Sequence, residues 1–259
     1  MSSNDLLNVR PVWESTARDY YAFISEPDSY VKQIEWPVIT AMMPAARKVL
    51  DLGCGCGHYA ICLTKAGAKV TALDISPAML AIARSEAAKD GLEIDFREFD
   101  IRKKLPFDDA TFDLVLSTTV LHYIEQLLPL FTEIARVMIK GGRLLLSVLH
   151  PISTSLFPVL EQDFLQNDSW NMKYFDSRCR HLFAPWSQQV PGNACAPPPI
   201  KCYHHTLEDY FSAIFAAGFQ PVEVREPRPQ PVLESMNPAR FVYSSSQPLF
   251  LIIAAEKKF

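Results

Sequence analysis

The feature that most constrains the fold of this chain is a strand that runs into three alternating glycines. The apolar residues of segment 48–52 are followed by Gly53, Gly55 and Gly57, and a helix-like segment, 57–66, comes at once. Glycine allows a tight turn and exposes backbone N–H groups to a ligand, because it has no Cβ in the way. The positive end of the following helix faces the same place. This order predicts an open α/β sheet with a cofactor crevice at the turn.

The spacing of the glycines indicates which cofactor the turn binds. A dinucleotide-binding turn, G-x-G-x-x-G, needs its third glycine at position 58, which is His58 here. The pattern is instead Asp51-x-Gly53-x-Gly55-x-Gly57, and it resembles motif I of the class I S-adenosylmethionine-dependent methyltransferases. The resemblance implies S-adenosylmethionine as the cofactor and S-adenosyl-L-homocysteine as its product. The motif residues expected at the cofactor are Asp51, Gly53, Cys54 and Gly55.

Further motifs follow in the order of that family. Segment 68–74 is predicted to be a second strand, and it ends in Asp74, whose carboxylate can accept two ribose hydroxyls. A third predicted strand, 93–100, ends in Asp100. The resemblance implies that Asp100 takes the exocyclic amine of adenine while Ile101 covers the ring. Its remaining expected cofactor contacts are Tyr20, Ile75 and Thr118.

The whole chain is predicted to form an α/β, Rossmann-like fold with a mostly parallel sheet. Segments 112–117 and 143–149 resemble the fourth and fifth strands of the family, and 219–225 and 248–256 are predicted to be strands six and seven. A capping-box pattern at Thr206 predicts the start of the late helix. The resemblance implies a seven-stranded sheet whose last strand is antiparallel and lies between strands five and six.

We expect a single domain over residues 1–259 with four parts. They are an N-terminal helical cap (1–45), a cofactor-binding half (46–150), an insert after strand five (151–205) and a C-terminal helix with strands (206–259). A long insert in a compact domain is typically functional unless it is disordered, and the aromatic content here argues against disorder. Because the insert leaves the carboxyl edge of the sheet, it is predicted to be a lid over the substrate.

The composition limits the kinds of partner and the cellular compartment that we expect for this chain. A net charge of −4 gives no electrostatic reason to expect a nucleic acid. The longest apolar stretch, 249–255, is too short to cross a bilayer, and the first residues lack the blocks of a signal peptide. The six scattered cysteines suggest reduced thiols. We expect a cytoplasmic monomer or homodimer that acts on a small molecule, with neither a nucleic acid nor a membrane as partner.

A metal site is not expected. Cys54 and Cys56 could form half of one, but a second Cys/His pair with suitable spacing is missing from the sequence. Small side chains that pack under the glycine turn explain this pair better.

The sequence says more about the methyl donor than about the acceptor, because the main task of such a protein is to align the two and exclude water. The turn after strand four, 117–120, lacks the Asn/Asp-Pro-Pro-Tyr-like motif of enzymes that methylate amino groups of nucleobases or glutamine. It also lacks the Pro-Cys of cytosine-C5 enzymes. The Ser147-x-x-His150-Pro151 segment resembles type-11-like methyltransferases. We expect methyl transfer to an N or O atom of a small molecule.

Two histidines are the candidate catalytic residues. An unperturbed pKa of about 6.5 suits a histidine to proton transfer near neutral pH. His122 follows predicted strand four and His150 ends predicted strand five, so both lie at the carboxyl edge of the sheet. Either could instead be a buried histidine that holds a loop.

Three other functions remain to be separated from this one. The chain could be a non-catalytic S-adenosylmethionine-binding module, although the intact acids Asp51, Asp74 and Asp100 argue against a decayed site. It could also methylate a protein or peptide. A nicotinamide-dependent oxidoreductase is disfavoured by His58 in place of the third glycine.

Overall fold

A computed structural model of the chain describes residues 9–157, 172–182 and 200–259. The strands are β1 (Lys48–Leu52), β2 (Lys69–Asp74), β3 (Asp95–Glu98), β4 (Phe112–Thr118), β5 (Met138–Leu149), β6 (Cys179–Leu182), β7 (Ile200–Tyr203), β8 (Phe219–Arg225) and β9 (Phe250–Lys257). The helices are α1 (Val9–Ser25), α2 (Trp36–Met42), α3 (His58–Lys65), α4 (Pro77–Lys89), α5 (Leu127–Val137), α6 (Pro151–Ser155), α7 (Leu207–Ala216), α8 (Val232–Met236) and α9 (Pro238–Ser246). A π-helix (Val31–Glu35) precedes α2, and a 3-10 turn (Leu121–Tyr123) follows β4.

The main sheet has seven strands in the order β3-β2-β1-β4-β5-β9-β8. Strands β1 to β5 run parallel to one another, whereas β9 is antiparallel to both β5 and β8. The predicted fold, with an antiparallel last strand between strands five and six, is confirmed. The strand order reverses between β1 and β4, and ligands of open α/β sheets bind outside the carboxyl ends of the strands at such a point.

Helices cover both faces of the sheet. Successive side chains of a strand point to opposite faces, so Val49 packs in the cluster with α3 and α4, while Leu50 and Leu52 pack in the cluster with α5 and α7. Strands buried on both sides read as continuous apolar runs, which is why these segments were recognisable from the sequence.

Two helix starts follow the predicted local chemistry. Ser76 Oγ accepts a hydrogen bond from a backbone N–H in the first turn of α4, where Pro77 takes the first helical position. Thr206 Oγ1 accepts from Asp209 N at 3.1 Å, and Thr206 N donates to Asp209 Oδ2 at 2.8 Å, so the capping box of α7 is complete. Because the first-turn N–H groups have no partner within the helix, these side chains fix where each helix begins.

Two sequence-based details are wrong. Strand β5 begins at Met138 and not at residue 143, because Met138 pairs with Phe112 before the register shifts. Strand β3 covers Asp95–Glu98 and not the whole of 93–100.

Part of the predicted insert belongs to the described residues. His204 Nε2 donates to the Tyr174 carbonyl at 2.7 Å, and the Thr154 hydroxyl donates to His204 Nδ1 at 2.7 Å. His205 Nε2 donates to the Ile124 carbonyl at 2.8 Å. These bonds join the end of the insert to α6 and to the segment after β4. The predicted lid also includes residues 158–171 and 183–199, which lie outside the described residues.

None of the helices in the described ranges is both long and apolar enough to cross a membrane.

Candidate functional site

A cavity of about 570 Å³ lies at the carboxyl ends of β1, β2 and β4, with α1 in its wall. The wall contains most of the residues that the sequence assigned to the cofactor. These are Tyr20, Gly53, Cys54, Gly55, Asp74, Ile75, Asp100, Ile101 and Thr118. His122 also lies in the wall, whereas Asp51 and His150 are not among the residues that line the cavity.

The glycine turn is held tightly against its neighbours. The backbone N–H groups of Gly53 and Cys54 donate to the Leu73 carbonyl at 2.8 and 2.9 Å, which fixes the turn to β2. Gly53 has a φ of +74°, in the left-handed region, and a Cβ there would overlap the side chain of Val120. Only glycine fits this position, because both the backbone angle and the close approach exclude a side chain.

Asp74 organises the turn from the end of β2. Its Oδ2 accepts from Gly55 N at 2.8 Å, and its Oδ1 accepts from Ser76 N at 2.9 Å. Burial raises the pKa of Asp74 to about 6, against the lowering effect of these amide hydrogen bonds. A carboxylate offers about four acceptor positions, so Asp74 can still accept ligand hydroxyls while it holds the turn.

Asp51 lies beneath the turn at only 1% exposure. Within the described part of the chain, neither of its carboxyl oxygens has a hydrogen-bond partner. Burial, with the nearby charge of Asp74, raises the pKa of Asp51 to about 7. A buried carboxyl without a partner is costly, which points to a ligand or an ordered water as the missing partner.

Asp100 and Ile101 lie side by side in the cavity wall, as the predicted adenine site requires. Arg102 Nε and Nη2 donate to the two Asp100 oxygens at 2.8 and 3.0 Å. Burial would raise the pKa of Asp100, but the hydrogen bonds and charge of Arg102 outweigh it and hold the pKa below its usual value. Arg102 belongs to none of the sequence motifs described above.

Comparisons with known proteins point to one family. Residues 50–146 match a family model described as a methyltransferase domain. The chain is 32% identical over 151 residues to the demethylmenaquinone methyltransferase of Thermus thermophilus, a match that covers 56% of this chain and 68% of that protein. The solved structure of the S-adenosylmethionine dependent methyltransferase from Mesorhizobium loti is similar to this one, with a TM-score of 0.67 and 28% sequence identity. The match covers 86% of this chain and 97% of that chain.

The chain belongs to the class I S-adenosylmethionine-dependent methyltransferases. It is an enzyme, and its cofactor is S-adenosylmethionine. It is also 29% identical over 121 residues to the ubiquinone biosynthesis O-methyltransferase of Nitrosococcus oceani, over 46% of this chain and 51% of that protein. The methyltransferase therefore spans about half the length of that relative.

The crevice of the methyltransferase fits this cofactor on observations of its own. The turn at Gly53 brings backbone close to the cavity where a side chain is excluded, and the Asp51 carboxyl beneath it lacks a partner among the described residues. Asp74 retains acceptor capacity beside them. When bound, the cofactor supplies an electrophilic methyl group on a positively charged sulfur, and buried acids suit a cationic ligand of this kind.

Tyr20 projects from α1 into the cavity wall. Burial raises the pKa of its hydroxyl far above the ordinary value, so the group stays neutral, with the Thr119 hydroxyl as a hydrogen-bond partner. Thr119 has a φ of +52°, which is unusual for a β-branched residue and is typical of functional sites. The expectation that Tyr20 lies at the cofactor cavity agrees with this geometry.

The two candidate catalytic histidines lie in different surroundings. His122 lines the cavity, and its Nδ1 has no hydrogen-bond partner in the described ranges. Burial, with the neighbouring His205, lowers the pKa of His122 to about 3, so its ring is neutral at pH 7.

His150 has both ring nitrogens engaged away from the cavity. Its Nδ1 accepts from Ile152 N at 3.1 Å and caps α6, and its Nε2 lies 2.9 Å from Glu226 Oε1. These contacts describe a histidine that holds a loop, and they argue against the predicted contact of His150 with the substrate.

The wall also contains groups that the sequence analysis did not select. Glu35, Tyr59 and Arg240 are three of them. Glu35 stands between Ile34 and Trp36 outside any motif, so only its burial distinguishes it from a surface acid. An acid flanked by large apolar residues is a weak signal that could have drawn attention to it.

Proposed function

We propose that this methyltransferase transfers a methyl group to an N or O atom of a small molecule bound in the same cavity. The observation that carries the proposal is the extent of the cavity beyond the expected cofactor residues. Its far wall is formed by Tyr30, Val31, Leu149, Tyr243 and Phe250, and we call this part the acceptor lobe. Concave, mostly apolar pockets with a few polar groups are typical of small-molecule sites.

The acceptor lobe belongs to the fold as well as to the cap. Leu149 ends β5 and pairs with Phe250, the first residue of the antiparallel β9, so both lie at the carboxyl edge of the parallel strands. Tyr30 contacts Tyr243 with ring centroids 6.5 Å apart. An acceptor held there lies at the same edge of the sheet as the glycine turn, so it can be positioned against the cofactor for an in-line displacement.

The proposed cofactor contacts are those of the glycine turn, with Asp51, Asp74, Ile75, the Asp100–Ile101 pair, Tyr20 and Thr118. His122, neutral at pH 7 because of its burial, is the proposed contact with the acceptor from the 3-10 turn. Two relatives carry names that refer to ubiquinone biosynthesis and to demethylmenaquinone, and a small-molecule acceptor is consistent with these names.

A direct test is calorimetric titration with S-adenosylmethionine, followed by a screen of amines, phenols and carboxylates for production of S-adenosylhomocysteine. We expect saturable cofactor binding and turnover with at least one of these classes. Cofactor binding without turnover of any screened acceptor would favour a non-catalytic S-adenosylmethionine-binding module, and absence of binding at millimolar cofactor would favour a module that has lost the cofactor. Methyl incorporation into protein or peptide alone would contradict the small-molecule proposal.

We also propose that the insert, residues 151–205, covers the acceptor. Ile200 and Cys202 of β7 pack against Val12 of α1 and against Tyr123, and Tyr123 lines the cavity. The described end of the insert is therefore attached to the cavity wall. A bound ligand is expected to slow cleavage of the insert in limited proteolysis, and identical cleavage with and without cofactor and acceptor would count against a lid.

A further inference from the structure

Glu35 is a buried acid that the expected cofactor site does not use. It ends the π-helix that leads into α2, and it is 1% exposed. It lines the cavity, and its Oε1 has no hydrogen-bond partner in the part of the chain that the structure describes. A carboxyl in this state is costly unless a ligand satisfies it.

The groups that face Glu35 come from three elements. They are Tyr59 of α3, Ser147 of β5 and Tyr20 of α1. Burial raises the pKa of Glu35 to about 7, and the hydroxyls of Ser147 and Tyr59 lower it only in part. Burial also raises the pKa of Tyr20 and Tyr59 far above the ordinary value, so both stay neutral. Glu35 is thus surrounded by neutral groups.

The arginines in the cavity wall are engaged with other acids. Arg102 pairs with Asp100 at 2.8 Å, and Arg240 pairs with Asp28 at 3.1 Å and with Glu26 at 3.5 Å. In the ranges that the structure describes, no ion pair to Glu35 is present. A charge on Glu35 can therefore be balanced by a cation that enters with the ligand.

Glu35 lies where the expected cofactor residues meet the acceptor lobe. Tyr59 and Tyr20 flank it on the side of the glycine turn, while Tyr30 and Val31 of the acceptor lobe lie five and four residues before it on the same segment. The ring of Tyr243 in the cavity wall can also stabilise a cation through its face, whereas Arg240 already lies 5.6 Å from the centre of the Tyr30 ring.

We propose that Glu35 binds the amino group of an amine acceptor and takes its proton before methyl transfer. The proposal rests on the proposed function of a small-molecule methyltransferase. An ammonium, R–NH₃⁺, gives one proton to the Glu35 carboxylate and becomes R–NH₂. The nitrogen lone pair then forms a bond to the methyl carbon as the carbon–sulfur bond breaks. The products are R–NH₂⁺–CH₃ and a neutral thioether, and the proton remains on Glu35 until it is released to solvent.

The α-ammonium of the cofactor is the competing cation. Asp51 lies in β1 two residues before Gly53, and both of its oxygens lack a partner among the described residues. It does not line the cavity, but it gives the glycine turn an acid of its own. Glu35 belongs to the cap segment that carries acceptor-lobe residues, which favours the acceptor.

The test compares three matched pairs of probes that differ only in amine against alcohol. They are benzylamine and benzyl alcohol, 2-phenylethylamine and 2-phenylethanol, and tryptamine and tryptophol. Binding is measured by calorimetry to the full chain saturated with S-adenosylhomocysteine at pH 8 and at pH 5.5. At pH 8 we expect about ten-fold or stronger binding of at least one amine over its alcohol, as for a hydrogen bond to a charged group. At pH 5.5, below the pKa of Glu35, this preference should disappear because the carboxyl is protonated.

Glu35→Gln keeps the shape of the side chain and removes its charge. We expect it to abolish the amine preference at pH 8 while the Kd of S-adenosylhomocysteine changes less than about two-fold. Glu35→Asp should retain part of the preference. The matched control is Glu234→Gln, because Glu234 is an exposed acid on α8, and it should behave as the wild type.

Several results would overturn the proposal. One is that no pair of probes shows a preference for the amine, which includes the case in which no probe binds. Another is a preference for the amine that remains in Glu35→Gln. A ten-fold loss of S-adenosylhomocysteine affinity in Glu35→Gln would assign Glu35 to the cofactor and would also overturn it. The proposed function fails separately, when the wild type binds amines with this preference but no screened small molecule yields S-adenosylhomocysteine.

Discussion

Gly57→Ala is expected to lower the free energy of unfolding by about 2–5 kcal/mol. Gly57 has a φ of +80°, and a Cβ added there would stand 2.8 Å from Ala83 Cβ and 3.1 Å from the ring of Phe96. The left-handed backbone accounts for about 1–2 kcal/mol of this loss. The overlap adds about 1–3 kcal/mol, because Ala83 is fixed by α4 and its Cβ cannot rotate away.

The matched control is Gly91→Ala. Gly91 also has a left-handed φ, +65°, but no heavy atom lies within 4 Å of an added Cβ. Gly91→Ala should therefore lower the free energy of unfolding only by the backbone contribution, about 1–2 kcal/mol. Urea unfolding of both variants, followed by circular dichroism, measures the difference. Equal losses would mean that α4 and β3 do not pack against the turn as described.

Local chemistry explains why so much of the fold could be predicted. The glycine turn, the Ser76-Pro77 helix start and the Thr206–Asp209 capping box each depend on residues a few positions apart, and the structure contains all of them. The start of β5 could not be predicted in this way. It is set by the pairing of Met138 with Phe112 across the sheet, a contact between residues distant in sequence.

The candidate site shows the same difference between features set by local sequence and features set by contacts between distant residues. Asp74 ends β2, and Asp100 follows the end of β3 by two residues. Their position at the same edge of the sheet could therefore be predicted from the pattern of the chain. His122 and His150 both follow strands, yet only His122 lines the cavity, because His150 is drawn to Ile152 and Glu226. Sequence position could not separate them. Glu35 is recognised only through its burial, which depends on how the cap packs on β5.

Asp74→Ala is expected to weaken S-adenosylhomocysteine binding by about 1–3 kcal/mol, or about 5- to 150-fold in Kd. The substitution removes the proposed acceptor of the ribose hydroxyls. It also removes the hydrogen bonds that Asp74 accepts from Gly55 N and Ser76 N, so the turn loses a support that holds it in its binding shape. Calorimetric titration at pH 8, where Asp74 is ionised, measures the loss.

The pH dependence separates a binding role from a general loss of structure. Because burial raises the pKa of Asp74 to about 6, wild-type affinity for S-adenosylhomocysteine should fall as the pH drops through 6 and the carboxyl becomes protonated. Asp51, whose pKa is raised to about 7, contributes to the same fall, so Asp74→Ala should keep only the part that comes from Asp51. Asp108→Ala should keep both the affinity and the whole fall. Asp108 is an exposed acid that precedes β4, at the opposite edge of the sheet from the cavity. Unchanged affinity in Asp74→Ala would show that the carboxylate at the end of β2 does not contact the cofactor, and the ribose would then need another acceptor in the cavity wall.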